Sequence, residues 1–278
     1  MKAMIVSTSA KPTPRMLREA TDVSQRLGAQ LVPRHGTNGY ARTIARLLSD
    51  QEAEFAYIVG REKRSENALV HEMRRRGDSR RLFVHPRMWT LVKAQGFQST
   101  PLANAICAPG EPPPRHVLDA TAGLGGTALR IAEAFGPRCH VTAVEASAPL
   151  ACLLSYGMQN LSEEEKPWSP AASRVRCVHA DAAHFFNQPA DSELGPPDVV
   201  YLNPCLQIQR IDPFDIFLQQ LAELAPISEG CFNGALSTAR RRVILRIPNG
   251  VDPLVAGYGV ASTRTVKGTQ SDYHVYDV

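Results

Sequence analysis

The chain has 278 residues, of which 44% are hydrophobic and 21% are charged, and its formal net charge is +4 at neutral pH. This composition is typical of a soluble globular protein with one large core or two smaller ones. No run approaches the roughly 18 consecutive apolar residues of a membrane span, so no membrane partner is expected. The opening MKAMIVSTS lacks the apolar stretch of a secretory signal. A cytoplasmic protein is therefore expected, with an organellar location left open.

The cysteines and histidines do not form the spacings that hold metals. The six cysteines lie far apart and contain no C-x-x-C pair, and His179 and His184 in HADAAH do not have H-E-x-x-H spacing. We therefore expect no metal site and no disulfide framework.

Charge divides the chain into two parts. Residues 1–110 hold 18 Lys+Arg against 9 Asp+Glu, whereas residues 111–278 hold 13 against 18. Between them, the prolines of CAPGEPPPRH (107–116) prevent a helix and remove backbone donors. We predict a basic N-terminal α/β module over residues 1–110 and a second domain over residues 111–278.

The N-terminal module shows both strand and helix patterns. Strands are predicted at residues 2–7, 55–60 and 81–86, and amphipathic helices at 14–28 and 41–50. The arginines of REKR (61–64) and RRRGDSRR (74–81) favour either a surface that binds RNA or an ordinary solvated face.

A glycine turn opens the second domain. In HVLDATAGLGG (116–126), an apolar strand ends at Asp119, and Gly123 and Gly125 lead into a helical pattern. Glycine lets the backbone approach a ligand, and the helix N-terminus offers unpaired amides. The turn therefore indicates either a nucleotide-type ligand or merely a tight connection.

Polar residues also follow the next three predicted strands. Glu145 ends HVTAVEAS, Asp181 ends RVRCVHAD and Asn203 ends VVYLN. Open α/β sheets bind ligands outside the carboxyl ends of their strands, so these side chains and Asp119 are expected to share one crevice. Any single one of them fits a helix cap equally well. The polar stretch 161–173 is predicted to be a loop.

The glycine spacing and the fourth strand favour S-adenosylmethionine over NAD as the ligand. D-A-T-A-G-L-G has two glycines where a pyrophosphate-binding fingerprint has three. Asn203-Pro204 resembles the (Asn/Asp)-Pro-Pro-(Tyr/Phe) motif of methyltransferases that act on exocyclic amines. The Asn203 amide oxygen and the Pro204 carbonyl would accept hydrogen bonds from the amine, so both are predicted to be catalytic.

DATAGLG, VVYLNP, RRRVILRIP, TVKG and the closing DYHVY resemble, in order and spacing, the RsmJ-like family of S-adenosylmethionine-dependent methyltransferases. The best-known member of that family methylates N2 of a guanine in small-subunit ribosomal RNA. The resemblance implies a class I, Rossmann-like methyltransferase fold with a mostly parallel seven-stranded sheet, whose last two strands come from residues 259–268 and 272–278. It also implies S-adenosylmethionine as cofactor and ribosomal RNA as partner.

Carried over by position, the family's cofactor contacts fall after successive strands. Together with the turn residues they form the predicted S-adenosylmethionine site: Asp119, Ala122, Gly123, Gly125, Gly126, Thr127, Glu145, Ala146, Asp181, Ala182 and Asn203.

The chain also departs from the family pattern. Gly126-Thr127 replaces a common Arg-Asp pair, and Leu206 replaces the aromatic residue that would stack on a base. Phe214 or Phe217 could take that stacking role or belong to the core.

Two alternatives stay open at this point. One is a C5-cytosine RNA methyltransferase with Cys205 as nucleophile, and the other is an RNA-binding module with a methyltransferase fold and no activity. Arg246 and Lys267 would hold flanking phosphates or be plain surface charges. The oligomeric state cannot be read from the sequence.

Overall fold

The computed structural model describes residues 3–32, 34, 40–61, 69–84, 96–187, 194–203, 220–221, 227–250 and 260–278. It contains a four-stranded sheet near the N-terminus and a seven-stranded sheet in the rest of the chain.

The smaller sheet has the strand order β2-β1-β3-β4. Its strands are β1 Met4–Thr8, β2 Gln30–Leu31, β3 Phe55–Arg61 and β4 Leu69–Arg75. The first three are parallel and β4 is antiparallel to β3. The connecting helices are α1 Pro14–Leu27 and α2 Tyr40–Asp50, which confirms both helices predicted in this module. α1 begins where the Thr13 hydroxyl caps the Met16 amide, and it ends at Gly28, whose φ of 56° is a left-handed conformation.

The larger sheet has the order β10-β11-β9-β8-β5-β6-β7. Its strands are β5 His116–Asp119, β6 His140–Glu145, β7 Val175–His179, β8 Val199–Leu202, β9 Arg242–Pro248, β10 Arg264–Val266 and β11 Ser271–Asp277. Strands β5 to β9 are parallel, and β10 and β11 are antiparallel. The predicted mostly parallel seven-stranded sheet, including its last two strands, is confirmed.

Helices cover both faces of this sheet. They are α3 Pro101–Ile106, α4 Gly126–Ala134, α5 Ala148–Glu163, α6 Ser169–Ala172, α7 Ala182–Phe186 and α8 Glu229–Thr238. Leu129 and Leu153 bury apolar surface on one face, whereas Phe232 and Ala235 do so on the other. The strand order reverses between β5 and β8, and at such a reversal open sheets leave a crevice at their carboxyl edge.

Two predicted elements are wrong. Of the strand predicted at 81–86, the described residues 81–84 contribute only an isolated bridge between Leu82 and Met73. The fourth strand is instead β4, LVHEMRR, whose polar residues hid it from a hydrophobicity pattern. Those residues are buried because they have partners: His71 bonds Tyr57 and Glu19.

The loop predicted at 161–173 is also partly helical. Helix α5 continues through the buried Leu161 to Glu163, and α6 follows as one turn. Pro170 lies in the first turn of α6, where a missing amide is tolerated.

The smaller sheet packs on the outer side of α5. The Tyr156 ring stacks on the His71 ring with centroids 4.1 Å apart, Asn160 Nδ2 donates to the Leu69 carbonyl at 3.1 Å, and Arg15 pairs with Glu163 at 2.9 Å. One hydrophobic cluster contains Val6 of β1 and Val117 of β5. The apolar core is therefore continuous between the two sheets.

Candidate active site

The glycine turn between β5 and α4 needs its glycines for two different reasons. Gly123 and Gly125 have φ angles of 55° and 75°, in the left-handed region. A Cβ on Gly125 would lie 2.4 Å from Leu154 Cδ1 and from Met158 Cε, whereas a Cβ on Gly123 would meet nothing within 4 Å. Gly125 therefore lets α5 pack against the turn, and Gly123 leaves its backbone accessible to a ligand.

Four successive amides fix this turn between its neighbouring strands. The amide nitrogens of Ala120 and Ala122 donate to the carbonyls of Tyr201 in β8 and Val144 in β6, at 3.0 and 2.9 Å. The Thr121 amide donates to Asp119 Oδ1 at 3.3 Å, and the Gly123 amide donates to Glu145 Oε2 at 2.8 Å. The turn is therefore held across the reversal of strand order. The first amides of α4, at Gly126 and Thr127, have no partner within the helix by helix geometry.

Glu145 lies at the end of β6 and is oriented by two backbone amides. Its Oε2 accepts from Gly123, its Oε1 accepts from Ser147 at 2.8 Å, and the residue is 8% exposed. A carboxylate accepts about four hydrogen bonds on its two oxygens, and the hydroxyl groups of a ligand are donors that suit it.

Asp119 ends β5 and is almost completely buried. Burial raises the pKa of its carboxyl group to about 7, and the nearby charge of Glu145 raises that pKa further, against the hydrogen bond from Thr121. Asp119 is therefore neutral far more readily than an ordinary carboxyl group.

Asp181 follows β7 by two residues and caps α7, since its Oδ1 accepts from the His184 amide at 3.0 Å. Ala182 is the first residue of that short helix. His179, at the end of β7, lies with its Nε2 3.2 Å from the Ala146 carbonyl oxygen. This contact brings the ends of β6 and β7 together. The sequence pattern indicates no such role for His179.

Asn203 follows β8 directly and is partly exposed. Its backbone amide nitrogen donates to the Thr121 hydroxyl at 2.7 Å, and this hydrogen bond joins Asn203 to the glycine turn. The sequence did not single out Thr121, and only the pairing of β5 with β8 reveals its role. Pro204, Cys205, Leu206, Phe214 and Phe217 lie outside the described residues.

The predicted basic residues differ in their surroundings. Arg246 lies in β9 and is partly buried, whereas Lys267 follows β10, is 78% exposed and pairs with Asp272 at 2.6 Å. In the stretch 74–81, Arg74 and Arg81 pair with Glu72, and Arg80 pairs with Asp78. Carboxylates thus offset part of that charge.

The described residues contain neither a metal cluster nor a membrane span. No group of three or more His, Cys, Asp and Glu side chains there is arranged to hold a metal ion. None of the helices in the described part of the chain combines the length and the apolar character needed to cross a bilayer.

Comparisons with known proteins agree with this geometry. The model of a family described as putative SAM-dependent methyltransferase, where SAM is S-adenosylmethionine, matches residues 45–278. Among solved structures, a SAM-dependent methyltransferase from Neisseria gonorrhoeae has a TM-score of 0.63 at 20% identity and covers 98% of this chain and 95% of its own. That likeness confirms the predicted fold.

Curated relatives point the same way. The chain is 25% identical to the uncharacterized protein YpiP of Bacillus subtilis over 244 residues, which are 87% of this chain and 88% of the relative. It is 33% identical to the ribosomal RNA small subunit methyltransferase J of Pseudoalteromonas atlantica over 165 residues, 56% of this chain and 60% of the relative. It is 29% identical to the protein of the same name from Pseudomonas aeruginosa over 237 residues, 83% and 85% of the two chains. The predicted resemblance to the RsmJ-like family is confirmed.

Proposed function

This chain belongs to the SAM-dependent methyltransferase family whose model matches residues 45–278, and we propose that it methylates the exocyclic N2 amine of a guanine in small-subunit ribosomal RNA. The relatives from Pseudoalteromonas atlantica and Pseudomonas aeruginosa are named as methyltransferases of the ribosomal RNA small subunit, and this supports RNA as the substrate. By the same relation we infer that the protein acts in the cytoplasm.

The observation that carries the proposal is the position of Asn203. It lies at the carboxyl edge, at the reversal of strand order, and is joined to the glycine turn through Thr121. An amide oxygen next to the turn that holds the methyl donor is the group that an exocyclic amine requires.

The residues present fit SAM. The cofactor supplies a methyl group bound to a positively charged sulfur. Open backbone at Gly123 and acceptor side chains at Asp119 and Glu145 suit a cationic ligand with ribose hydroxyl groups. We propose that these residues hold it, together with Ala122, Gly125, the backbone of Gly126 and Thr127, and Ala146, Asp181, Ala182 and Asn203.

The catalytic residues act mainly by positioning. The lone pair of an exocyclic amine is delocalised into the ring, which makes the amine a weak nucleophile. In the proposed site, the Asn203 side-chain oxygen and the Pro204 carbonyl oxygen accept hydrogen bonds from the two N–H groups of the amine. These hydrogen bonds turn the nitrogen lone pair towards the methyl group. The bound cofactor would supply the methyl group, whose carbon–sulfur bond would break as the carbon–nitrogen bond forms, and the methylated amine would release one proton to solvent water. Holding the reactants in line contributes most of the rate.

We propose that the module of residues 1–110 binds the RNA backbone and the domain of residues 111–278 carries out the transfer. The net charges of the two parts, +9 and −5, support this division of work.

Mass spectrometry of ribosomal RNA nucleosides tests the function. Cells that lack the protein should lose one N2-methylguanosine from small-subunit RNA, and purified protein with SAM should restore it. Loss of 5-methylcytosine instead would favour a covalent mechanism through Cys205, and unchanged RNA together with no SAM binding would leave only an RNA-binding role.

Two single variants separate the mechanisms. Asn203→Ala should lower methyl transfer about 100-fold, because a misplaced reactant costs about that much. SAM affinity should fall by no more than about fivefold, because one lost hydrogen bond costs about 1 kcal/mol. Cys205→Ala should retain substantial transfer, because amine methylation uses no thiolate. Transfer rates and calorimetric SAM titrations check both, and abolished transfer in Cys205→Ala would contradict the amine mechanism.

A further inference from the structure

Arg246 is placed at the methyl-acceptor side of the site by strand register. In the parallel pair β8–β9, Leu202 lies opposite Leu245, so the next residues along are Asn203 and Arg246. In the antiparallel pair β9–β11, Arg246 lies opposite Tyr273. Neighbouring strands are about 4.8 Å apart. Asn203 and Arg246 therefore occupy adjacent positions at the same edge of the sheet.

The surroundings of Arg246 indicate a missing acceptor. Its Nε is buried from water and has no hydrogen-bond partner among the described residues. No ion pair within the described part of the chain includes Arg246. Leaving a buried donor unpaired is costly, so a ligand that supplies acceptors is expected here.

Arg242 provides an internal comparison. It lies four residues earlier on the same strand and shares the sheet face with Arg246, because side chains alternate along a strand. Arg242 pairs with Glu111 at 2.7 Å and with Asp277 at 3.1 Å. The Nε atoms of both arginines lack a hydrogen bond, so the difference lies in their ion pairs: Arg242 has two carboxylate partners, and Arg246, beside Asn203, has none among the described residues.

Tyr201 of β8 is a further neighbour of Arg246. Tyr201 is 1% exposed in β8, and its pKa is raised by burial while a hydrogen bond with Arg246 lowers it. Asp119 is in register with Tyr201 on the other side. The guanidinium of arginine is planar and pre-organised, so it loses less entropy for each hydrogen bond when it binds a planar acceptor pair.

We propose that Arg246 is a specificity-determining residue that donates to the O6 and N7 acceptors of the target guanine. This inference rests on the proposed function. Arginine pairs bidentately with this edge of guanine. The exocyclic N2 and O6 lie on opposite sides of ring atom N1, so Asn203 binds the amine while Arg246 reads the other edge. Adenine presents a donor at position 6, where it would repel the guanidinium.

The test uses RNA fragments that carry the nucleotide identified by the nucleoside analysis. The target is made as guanosine, as 7-deazaguanosine, which lacks N7, or as 2,6-diaminopurine riboside, which keeps the N2 amine and replaces O6 with an amine. The ratio of kcat/KM values between guanosine and each analogue is measured for the wild type, for Arg246→Met and for Lys267→Met. Lys267 is the matched control because it is an exposed cation of the neighbouring hairpin, already paired with Asp272.

The wild type should prefer guanosine to 2,6-diaminopurine by on the order of 5- to 150-fold. In Arg246→Met this preference should fall to near one, and in Lys267→Met it should be unchanged. Affinity for S-adenosylhomocysteine, the demethylated product of SAM, should be equal in all three proteins. If Arg246→Met does not fold, Arg246→Gln should show the same loss of preference, because an amide cannot supply the two parallel donors.

Three outcomes overturn the inference in distinguishable ways. A preference in the Arg246 variants as large as in the wild type would exclude base reading by Arg246. A uniform loss of activity on every substrate, with a salt dependence weaker by one phosphate contact, would assign Arg246 to the RNA backbone instead. If the wild type methylates no guanosine at all, the proposed function itself fails.

Discussion

The Thr121 hydroxyl fixes the backbone at Asn203. It accepts a hydrogen bond from the Asn203 backbone amide at 2.7 Å. The position of the Asn203 side chain, which is the proposed acceptor, therefore depends on Thr121. In our proposal Thr121 contacts neither the methyl group nor the amine, so we propose that it is a positioning residue.

Removing only this hydroxyl should slow the chemistry and spare binding. Thr121→Val keeps the shape of the side chain and is expected to lower kcat about 10- to 100-fold, because small misplacements of reactants are costly. SAM affinity and KM for RNA should change by less than about threefold. Thr121→Ser, which restores the oxygen, should be close to the wild type. The positioning role would be contradicted if kcat fell equally in Thr121→Val and Thr121→Ser, or if only KM for RNA changed.

Asp119 makes stability depend on pH. Its pKa is about 7 in the fold against an ordinary 3.8. Below pH 3.8 both states are protonated. As pH rises towards 7, the unfolded chain releases the proton while the folded chain retains it, so folding stability falls.

The Asp119→Asn variant should remove this loss. The amide keeps an acceptor for the Thr121 amide and carries no charge. Its stability relative to the wild type should increase between pH 4 and pH 8 by on the order of 2–4 kcal/mol. Urea unfolding at the two pH values measures the difference. The same increment at both would show that burial of this carboxyl group is not the cause.

For single residues, the sequence predicts where the polar side chains lie in the fold better than it predicts their hydrogen-bond partners. Asp119, Glu145 and Asn203 could be predicted because each ends or directly follows an apolar strand. Their hydrogen bonds depend on which strands are neighbours. Glu145 bonds Gly123 and Ser147, and Asn203 bonds Thr121. A linear pattern does not contain that information. Whether these residues hold the cofactor stays a prediction.

The glycine turn and α5 form one packed unit. Gly125 faces Leu154 and Met158 so closely that a methyl group cannot be inserted without movement, while Gly123 faces open space. The two glycines look equivalent in the sequence, and only their neighbours in the fold distinguish them.

Alanine at each position should therefore give different results. Gly123→Ala should cost about 1 kcal/mol of stability, from its left-handed backbone alone, and should weaken SAM binding if the cofactor approaches there. Gly125→Ala adds the contacts at 2.4 Å and should cost about 2–4 kcal/mol. Thermal unfolding of both variants, with SAM titrations, provides the comparison. Similar stabilities would mean that α5 moves aside freely.

Helices and strands could be predicted where the sequence has apolar residues along one face or in a continuous run. The helices at 14–28 and 41–50 and the parallel strands have such patterns, whereas β4 does not. Its His71 and Glu72 are buried at 3% and 0% exposure because a tyrosine, a glutamate and two arginines satisfy them. A strand that depends on polar partners elsewhere in the chain leaves no periodic signal.

The excess of positive charge on residues 1–110 should appear in RNA binding. Arg18 and Arg76 are exposed there. Replacing both with Ala should weaken affinity for a structured RNA and reduce the slope of log K against log salt by about one for each phosphate that the variant no longer neutralises. Arg138→Ala, an exposed arginine near the start of β6, is the control. Filter-binding titrations at several salt concentrations measure the slopes, and equal slopes in all variants would remove RNA binding from these residues.

The hydrophobic core shared by the two sheets fixes the distance between them. Val6 and Val117 belong to one cluster, and Tyr156 stacks on His71 where the modules meet. The separation between the basic module and Asn203 is thus set by packing and not by a tether. In our proposal, an RNA bound by residues 1–110 would present to Asn203 only the nucleotide at that distance. The target guanine would then be selected by its distance along the RNA before any base is read.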